Sequence, residues 1–259
     1  MSERCCIFGR SGFIGSHLAE LLAHSGHDVV GGDRDGNVPP EVGHIVDSQS
    51  FGNYHWQTDR QEIWKANVGN LINMLEQCGS VRGFLYLSSS SVLLEKQTDY
   101  SRAKRAGEEV CRQFAQEKPV VIVRPSTVTG PGEQPTRLIP KLIESCLTGK
   151  EIPFVAEPTH DFIDVRDFVT AAQMLLFLAQ TEWGRAFNVS SGKTVSNEEV
   201  LAIVEARIGR KANVKRVEKL RDYDTKNWAV DNSPILGLGW RPKYTLEDSI
   251  KDMVNSYDK

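Results

Sequence analysis

Apolar and polar positions along the chain alternate between two periods. Residues 4–8 (Arg-Cys-Cys-Ile-Phe) form a short apolar run that stops at Gly9, the pattern of a parallel strand buried on both faces. Ile14, Leu18, Leu21 and Leu22 then recur at helical spacing, which predicts a helix over 14–25. His27 to Gly32 reads as a second strand, closed by Asp33. Strand, turn, helix and strand make the first βαβ unit of a doubly wound sheet. The alternation continues with helices over 60–78 and 100–117 and strands over 83–88 and 119–124. Pro125, Gly130, Pro131, Gly132 and Pro135 break the pattern there. Helical spacing returns at 137–148, 165–180, 196–208 and 246–256, and Ala186 to Ser190 reads as one more core strand. The expected fold is α/β, a doubly wound parallel sheet over residues 1–125 plus the strand near 186–190. Residues 126–259 are expected to form mainly a smaller lobe interleaved with it.

Composition narrows the class. The 259 residues are 40% hydrophobic and 25% charged, with a formal net charge of −3. This is an ordinary globular balance, with no basic excess to suggest nucleic acid or an anionic membrane as a partner. Five cysteines (Cys5, Cys6, Cys78, Cys111 and Cys146) show no repeated spacing, which argues against a disulfide framework, and no Cys/His cluster suggests zinc. The longest apolar stretch, around Ala171 to Ala179, is too short to span a bilayer, and no signal-like segment opens the sequence. A reduced, cytoplasmic protein is the expectation.

Gly9-Arg10-Ser11-Gly12-Phe13-Ile14-Gly15 opens the first helix with GxxGxxG spacing. Gly9 can take the tight turn, Gly12 admits a pyrophosphate close to the main chain, and Gly15 brings helix and strand together. The helix N-terminus presents free N–H groups and a positive dipole end to the phosphates. Without its flanking strand and helix the motif would be weak. Asp33 ends the second strand about 20 residues on, where an acid accepts from an adenosine ribose and disfavours a 2′-phosphate, so NAD is the expected cofactor. Arg34 beside it softens that preference. Asp33-Arg34-Asp35-Gly36 is also plain turn chemistry.

After strand 83–88 come Ser88-Ser89-Ser90-Ser91 and then Tyr100-Ser101-Arg102-Ala103-Lys104. Tyr and Lys four apart share one helix face. A phenol titrates near ~10 in water and is a poor base, and a neighbouring ammonium lowers that value. A serine hydroxyl across the site can hydrogen-bond the reacting oxygen. YxxxK alone is common, but its place downstream of the glycine turn gives it weight.

With these motifs in order, the chain resembles the extended short-chain dehydrogenases, the NAD-dependent epimerase/dehydratase group that modifies nucleotide sugars. Asn67-Val68-Gly69-Asn70-Leu71-Ile72-Asn73-Met74-Leu75-Glu76 is similar to its NVxGTxNLLE helix, and Arg124-Pro125 through Gly130-Pro131-Gly132 to its RPxxxxGPG turn. Asp161 to Asp167, Phe187-Asn188-Val189 and Leu238-Gly239-Trp240-Arg241-Pro242 resemble its later segments. The resemblance implies Tyr100 as base, Lys104 as holder of the nicotinamide ribose, and Ser89 as the catalytic hydroxyl. It places Phe13, Ile14, Asn67 and Ser88 in the cofactor cleft, and the backbone of Pro125, Ser126 and Thr127 by the carboxamide. It assigns a nucleotide-sugar substrate to the later lobe, near Ser90, Arg137 and His160, and implies a homodimer paired through helices 60–78 and 100–117.

Five departures qualify the resemblance. The interval from Asp33 to Asn67 is too short for the family's third strand and its helix, and His44 to Ser50 matches the strand that follows them. Asp47 stands where the family has Ala, a buried charge that is costly unless paired. Val92-Leu93-Leu94 shortens the loop before Tyr100, and His160 replaces a common arginine, with Arg137, Arg166 and Arg185 as candidate compensation. Ser90 and Ser91 replace the acids of the 4,6-dehydratases, which disfavours dehydration. The leading expectation is a C4 epimerase acting through a transient keto-sugar, followed by a 4-keto-sugar reductase. No motif singles out a uronic acid decarboxylase. A reading from another class is a non-catalytic nucleotide-binding scaffold. The missing strand favours it, and the intact Ser89, Tyr100 and Lys104 weigh against it.

Overall fold

The computed structural model describes residues 3–219 and 227–257. In chain order the elements are β1 (Arg4–Phe8), α1 (Phe13–His24), β2 (Asp28–Gly31), β3 (His44–Asp47), α2 (Arg60–Trp64), α3 (Asn70–Gln77), β4 (Gly83–Leu87), α4 (Asp99–Phe114) and β5 (Val120–Pro125). There follow β6 (Thr127–Thr129), α5 (Leu138–Thr148), β7 (Ile152–Phe154), β8 (Thr159–Asp164), α6 (Val165–Phe177), β9 (Ala186–Val189), β10 (Thr194–Ser196), α7 (Asn197–Ile208), β11 (Val214–Arg216), β12 (Asn227–Trp228), α8 (Ser233–Gly237) and α9 (Leu246–Tyr257). The chain divides into two compact units. The first runs to Pro125 and includes Val169–Asn188; the second takes Ser126–Phe168 and the chain from Val189 onward.

The first unit is built on a six-stranded sheet in the order β2-β1-β3-β4-β5-β9. The pairings from β2 through β5 are parallel. Residues 32–43 between β2 and β3 hold neither strand nor helix, so β3 pairs directly with β1 and the sheet ends at β2. Phe8 lies opposite Asp47, and Asp47 opposite Tyr86, which brings the C-terminal ends of β1, β3 and β4 to one level. Ligands of open α/β sheets bind outside such carboxyl ends. Cys6, Phe8, Ile45, Leu71, Met74, Tyr86, Cys111 and Ile122 form a continuous buried cluster there. Each large member contributes roughly 1.5–3 kcal/mol by leaving water. Gly107 lets α4 approach this layer, since a Cβ there would lie 2.3 Å from Tyr86 Oη.

In the second unit, β8 pairs with β10, β12 and β6. Ile139, Leu142, Phe154, Val200, Val204, Ile250 and Met253 bury the facing sides of α5, α7 and α9. The strands β6, β7, β8, β10, β11 and β12 escape sequence reading; all but β8 have only two or three residues, too few to show a period. The helix expected over 60–78 contains a π-helical turn at Lys65–Gly69. All five cysteines are free and buried.

Candidate active site

The glycine turn is held by sterics. Gly9 has φ +79°, and a Cβ on it would meet Ser48 Oγ at 2.8 Å. A Cβ on Gly15 would sit 2.1 Å from the Gly9 carbonyl oxygen, so helix and turn pack too closely for any side chain there. Gly12 caps α1 without a side-chain acceptor, which leaves the first-turn N–H groups of Phe13, Ile14 and Gly15 unfilled by a capping side chain. The Phe13 ring stands edge-on to His17, with centroids 5.6 Å apart.

Asp33 anchors the turn that follows β2. Its Oδ1 accepts from the N–H groups of Asp35 (3.0 Å) and Asn37 (2.9 Å), and its Oδ2 from Asn37 Nδ2 (2.6 Å). The Asn37 side chain and main chain thereby hold the Asp33 carboxyl below its ordinary value. The carbonyls of Asp33 and Arg34 are fastened by Gln49 Nε2 (2.8 Å) and Asn70 Nδ2 (2.6 Å). The turn role of Asp33 is therefore visible in the fold itself, and the carboxylate stays exposed at the strand end.

The catalytic candidates sit on α4 and the end of β4. Thr98 caps α4 in a reciprocal box with Ser101, which places Tyr100 in the first turn, where the helix dipole favours a phenolate. Tyr100 is half-buried, and a Cβ on Gly52 would touch its Cβ at 3.4 Å. One turn on, Lys104 is buried, 1% exposed. Its Nζ donates to the carbonyls of Leu87 (2.8 Å) and Gln49 (3.0 Å) and lies 4.8 Å from the centre of the Tyr86 ring. Burial lowers its pKa to about 8, against the charge of Asp47, which raises it. Ser89 caps the 3₁₀ turn Ser90–Leu93, its Oγ accepting from Ser91 N–H (3.2 Å) and Ser91 Oγ (2.9 Å), while Ser90 is buried.

Two candidates carry unexpected engagements. Asn67, buried in the π-turn, donates Nδ2 to the carbonyls of Phe51 (2.7 Å) and Ile63 (2.8 Å), and its Oδ1 is buried without a partner. Such turns recur at functional sites. Ser88 Oγ donates to Glu108 Oε1 (2.6 Å), and Arg124 grips the same carboxylate with two bonds at 2.7 and 2.5 Å. Burial alone would raise Glu108; the hydrogen bonds from Arg124 and Ser88 and the charges of Arg124 and Arg112 bring it below its ordinary value. The Ser88 hydroxyl is thus committed to the core of the first unit, and no sequence spacing announces Glu108 or Arg124 as its partners.

The remaining candidates flank or belong to the second unit. Pro125 ends β5, Ser126 N–H donates to Val189 O (3.0 Å), and Thr127 opens β6 opposite Phe162. Arg137 is the N-cap residue of α5. His160 on β8 stacks on Trp228, with ring centroids 5.6 Å apart and an interplanar angle of 21°, and leans on Phe162. Among the described residues no group of acids, histidines or cysteines is arranged to hold a metal ion, and no helix is long and apolar enough to cross a membrane.

A parallel sheet with a glycine-rich first turn, and Tyr and Lys one helical turn apart beside a serine, define a dinucleotide-dependent enzyme of the short-chain dehydrogenase type. The chain belongs to the NAD dependent epimerase/dehydratase family, whose model matches residues 5–50 and 41–190. It is 25% identical to the low-salt glycan biosynthesis protein Agl12 of Haloferax volcanii, over 93% of this chain and 85% of that one. It is 23% identical to the GDP-6-deoxy-D-mannose reductase of Pseudomonas aeruginosa, over 100% and 98%. The UDP-glucuronic acid 4-epimerase of Bacillus cereus, solved with UDP-glucuronic acid and NAD, superposes with a TM-score of 0.88 at 22% identity over 98% and 99% of the two chains. NAD is the family's cofactor, and the residues here fit it. Gly9 and Gly15 let the turn close on α1 with no Cβ between them, the N-terminus of α1 lacks a capping side chain, and Asn67 Oδ1 is buried without a partner.

Proposed function

We propose that the protein is an NAD-dependent nucleotide-sugar epimerase, with C4 as its reacting carbon. The observation that carries this reading is Lys104, an ammonium buried on the same helix face as Tyr100 and one turn beyond it. Gly12, Phe13, Ile14 and Gly15 would hold the pyrophosphate, and Asp33 the adenosine ribose with Arg34 beside it. Asn67, Ser88, Tyr100, Lys104 and the backbone of Pro125, Ser126 and Thr127 would line the nicotinamide end. When bound, NAD supplies a hydride acceptor that can return what it takes. The Lys104 charge with the dipole of α4 stabilises Tyr100 as a phenolate, which takes the proton of the sugar hydroxyl and becomes a neutral phenol. Ser89 hydrogen-bonds the same sugar oxygen and holds it against Tyr100. Ser90, Arg137 and His160 are proposed as substrate contacts, and a homodimer through residues 60–77 and α4 belongs to the same proposal.

A 4-keto-sugar reductase is the second reading. Arg34 next to Asp33 favours it, as a cation able to meet a 2′-phosphate. The two readings separate on protein purified without added cofactor, denatured and chromatographed for released nucleotide. Near-stoichiometric NAD(H) is expected of an epimerase that recycles its cofactor. An empty protein moves the assignment to the reductase, with NADPH titration as the next step. Tyr100→Phe is expected to lower turnover at least 100-fold while leaving NAD(H) bound. Unchanged turnover would remove Tyr100 from the chemistry.

A further inference from the structure

Asp47 is a carboxylate where the cleft has no evident use for one. It is the last residue of β3, wholly buried, level with Phe8 of β1 and Tyr86 of β4. Its Oδ1 accepts from the N–H of Gln49 (3.0 Å), and its Oδ2 is buried with no partner. Gln49 in turn offers its carbonyl to Lys104 Nζ (3.0 Å) and its side-chain amide to the carbonyl of Asp33 (2.8 Å). One residue thus ties the strand-end acid, the candidate catalytic lysine and the turn after β2 together.

The charges around this slot show what Asp47 faces. Asp47 acts on Lys104 and Cys111 of α4 and on Tyr86 of β4, and Glu108 of α4 acts on the same three groups. Tyr86 and Cys111 are neutral, since burial pushes both well above their ordinary values. Glu108 is held ionised by Arg124 and Arg112, and after Asp47 its charge also raises Lys104. Lys104 is the cation that acts on Asp47 among the described residues. Burial raises Asp47 to about 6 and lowers Lys104 to about 8, and the charge of each opposes that effect on the other.

We propose that Asp47 is the positioning residue for Lys104: it fixes the Gln49 main chain that receives the ammonium, and its charge keeps that ammonium protonated in a slot closed to water. The catalytic consequence rests on the Tyr100–Lys104 reading, whereas the electrostatic coupling does not. Without the Asp47 charge, burial acts on Lys104 with less to oppose it, and the lysine turns neutral at lower pH. A neutral lysine no longer steadies the Tyr100 phenolate, so activity fails earlier on the alkaline side.

The test compares wild type with Asp47→Asn, which keeps an acceptor for Gln49 N–H, and Asp47→Ala, which removes both acceptor and charge. Lysine side-chain NMR, with the Lys104 signal assigned by its loss in Lys104→Arg, reads the titration directly; kcat/KM against pH reads its consequence. In Asp47→Asn the Lys104 titration is expected to fall by at least one pH unit, and the alkaline limb of kcat/KM to move with it at unchanged thermal midpoint. In Asp47→Ala the weaker hold on Gln49 adds a loss of bound NAD(H). A Lys104 titration that stays within a few tenths of wild type overturns the proposal. If the titration moves and the activity limb does not, the coupling stands and the catalytic reading of Lys104 fails. Should neither variant fold, the wild-type chain decides: a Lys104 signal with an acid step near pH 6, from Asp47, supports the coupling, and a signal flat through that range overturns it.

Discussion

Gly15 has almost no latitude. A methyl there would stand 2.1 Å from the Gly9 carbonyl oxygen, and the obstacle is backbone, which cannot rotate away. Gly15→Ala is therefore expected to push α1 off the turn, costing about 1–3 kcal/mol of stability and releasing the bound dinucleotide. A thermal melt and the absorbance of released NAD(H) check both. Gly15, Tyr100 and Lys104 could be singled out in the sequence because their placement depends on local geometry, a tight turn or one helical turn. Gln49 was not, because its contact with Lys104 joins residues 55 positions apart. Asp47 stood out as a buried charge that is costly unless paired, and in the fold its charge is opposed by that of Lys104.

Among the elements, α4 carries the proposed base and its lysine, and its start is fixed by the Thr98–Ser101 box. Thr98→Ala removes the acceptor for Ser101 N–H and is expected to cost about 1 kcal/mol. Because Tyr100 lies in that first turn, kcat should fall more than KM rises. Urea denaturation and steady-state kinetics give the two numbers, and Thr98→Ser should restore both. The long helices and the strands of the six-stranded sheet could be read from the sequence within a few residues, since 4–16 residues of buried pattern specify a period. The π-turn around Asn67 could not. It inserts into a helix whose apolar spacing continues on either side, and the cause lies in the tertiary partners of the asparagine amide. β6 and β12, at three and two residues, are strands only because β8 is there to pair with them.

At the scale of the whole molecule, stability depends on pH through a buried acid of the second unit. Glu133 is raised to about 7 by burial, against the hydrogen bond from Thr129 Oγ1 (2.6 Å) and the charge of Arg137. A carboxyl raised on folding favours the native state while it is protonated, and that advantage is lost as pH climbs from its unfolded value through about 7. Glu133→Gln keeps an acceptor and cannot ionise. Its advantage over wild type should grow between pH 5 and pH 8 to no more than about 3 kcal/mol, measured by urea denaturation at each pH. An advantage independent of pH would place the Glu133 titration elsewhere. The interleaved chain path follows from the short return of α6 and β9 to the first unit, which composition cannot reveal. The abbreviated crossover between β2 and β3 has a cost of another kind. It leaves the sheet with a raw margin at β2, a row of main-chain donors and acceptors open to a strand from another molecule. That margin is only four residues long, begins at the Arg4–Asp28 ion pair and runs out into Gly31 and Gly32. Its shortness, its charge and its glycines make this margin a poor template for a strand from another molecule.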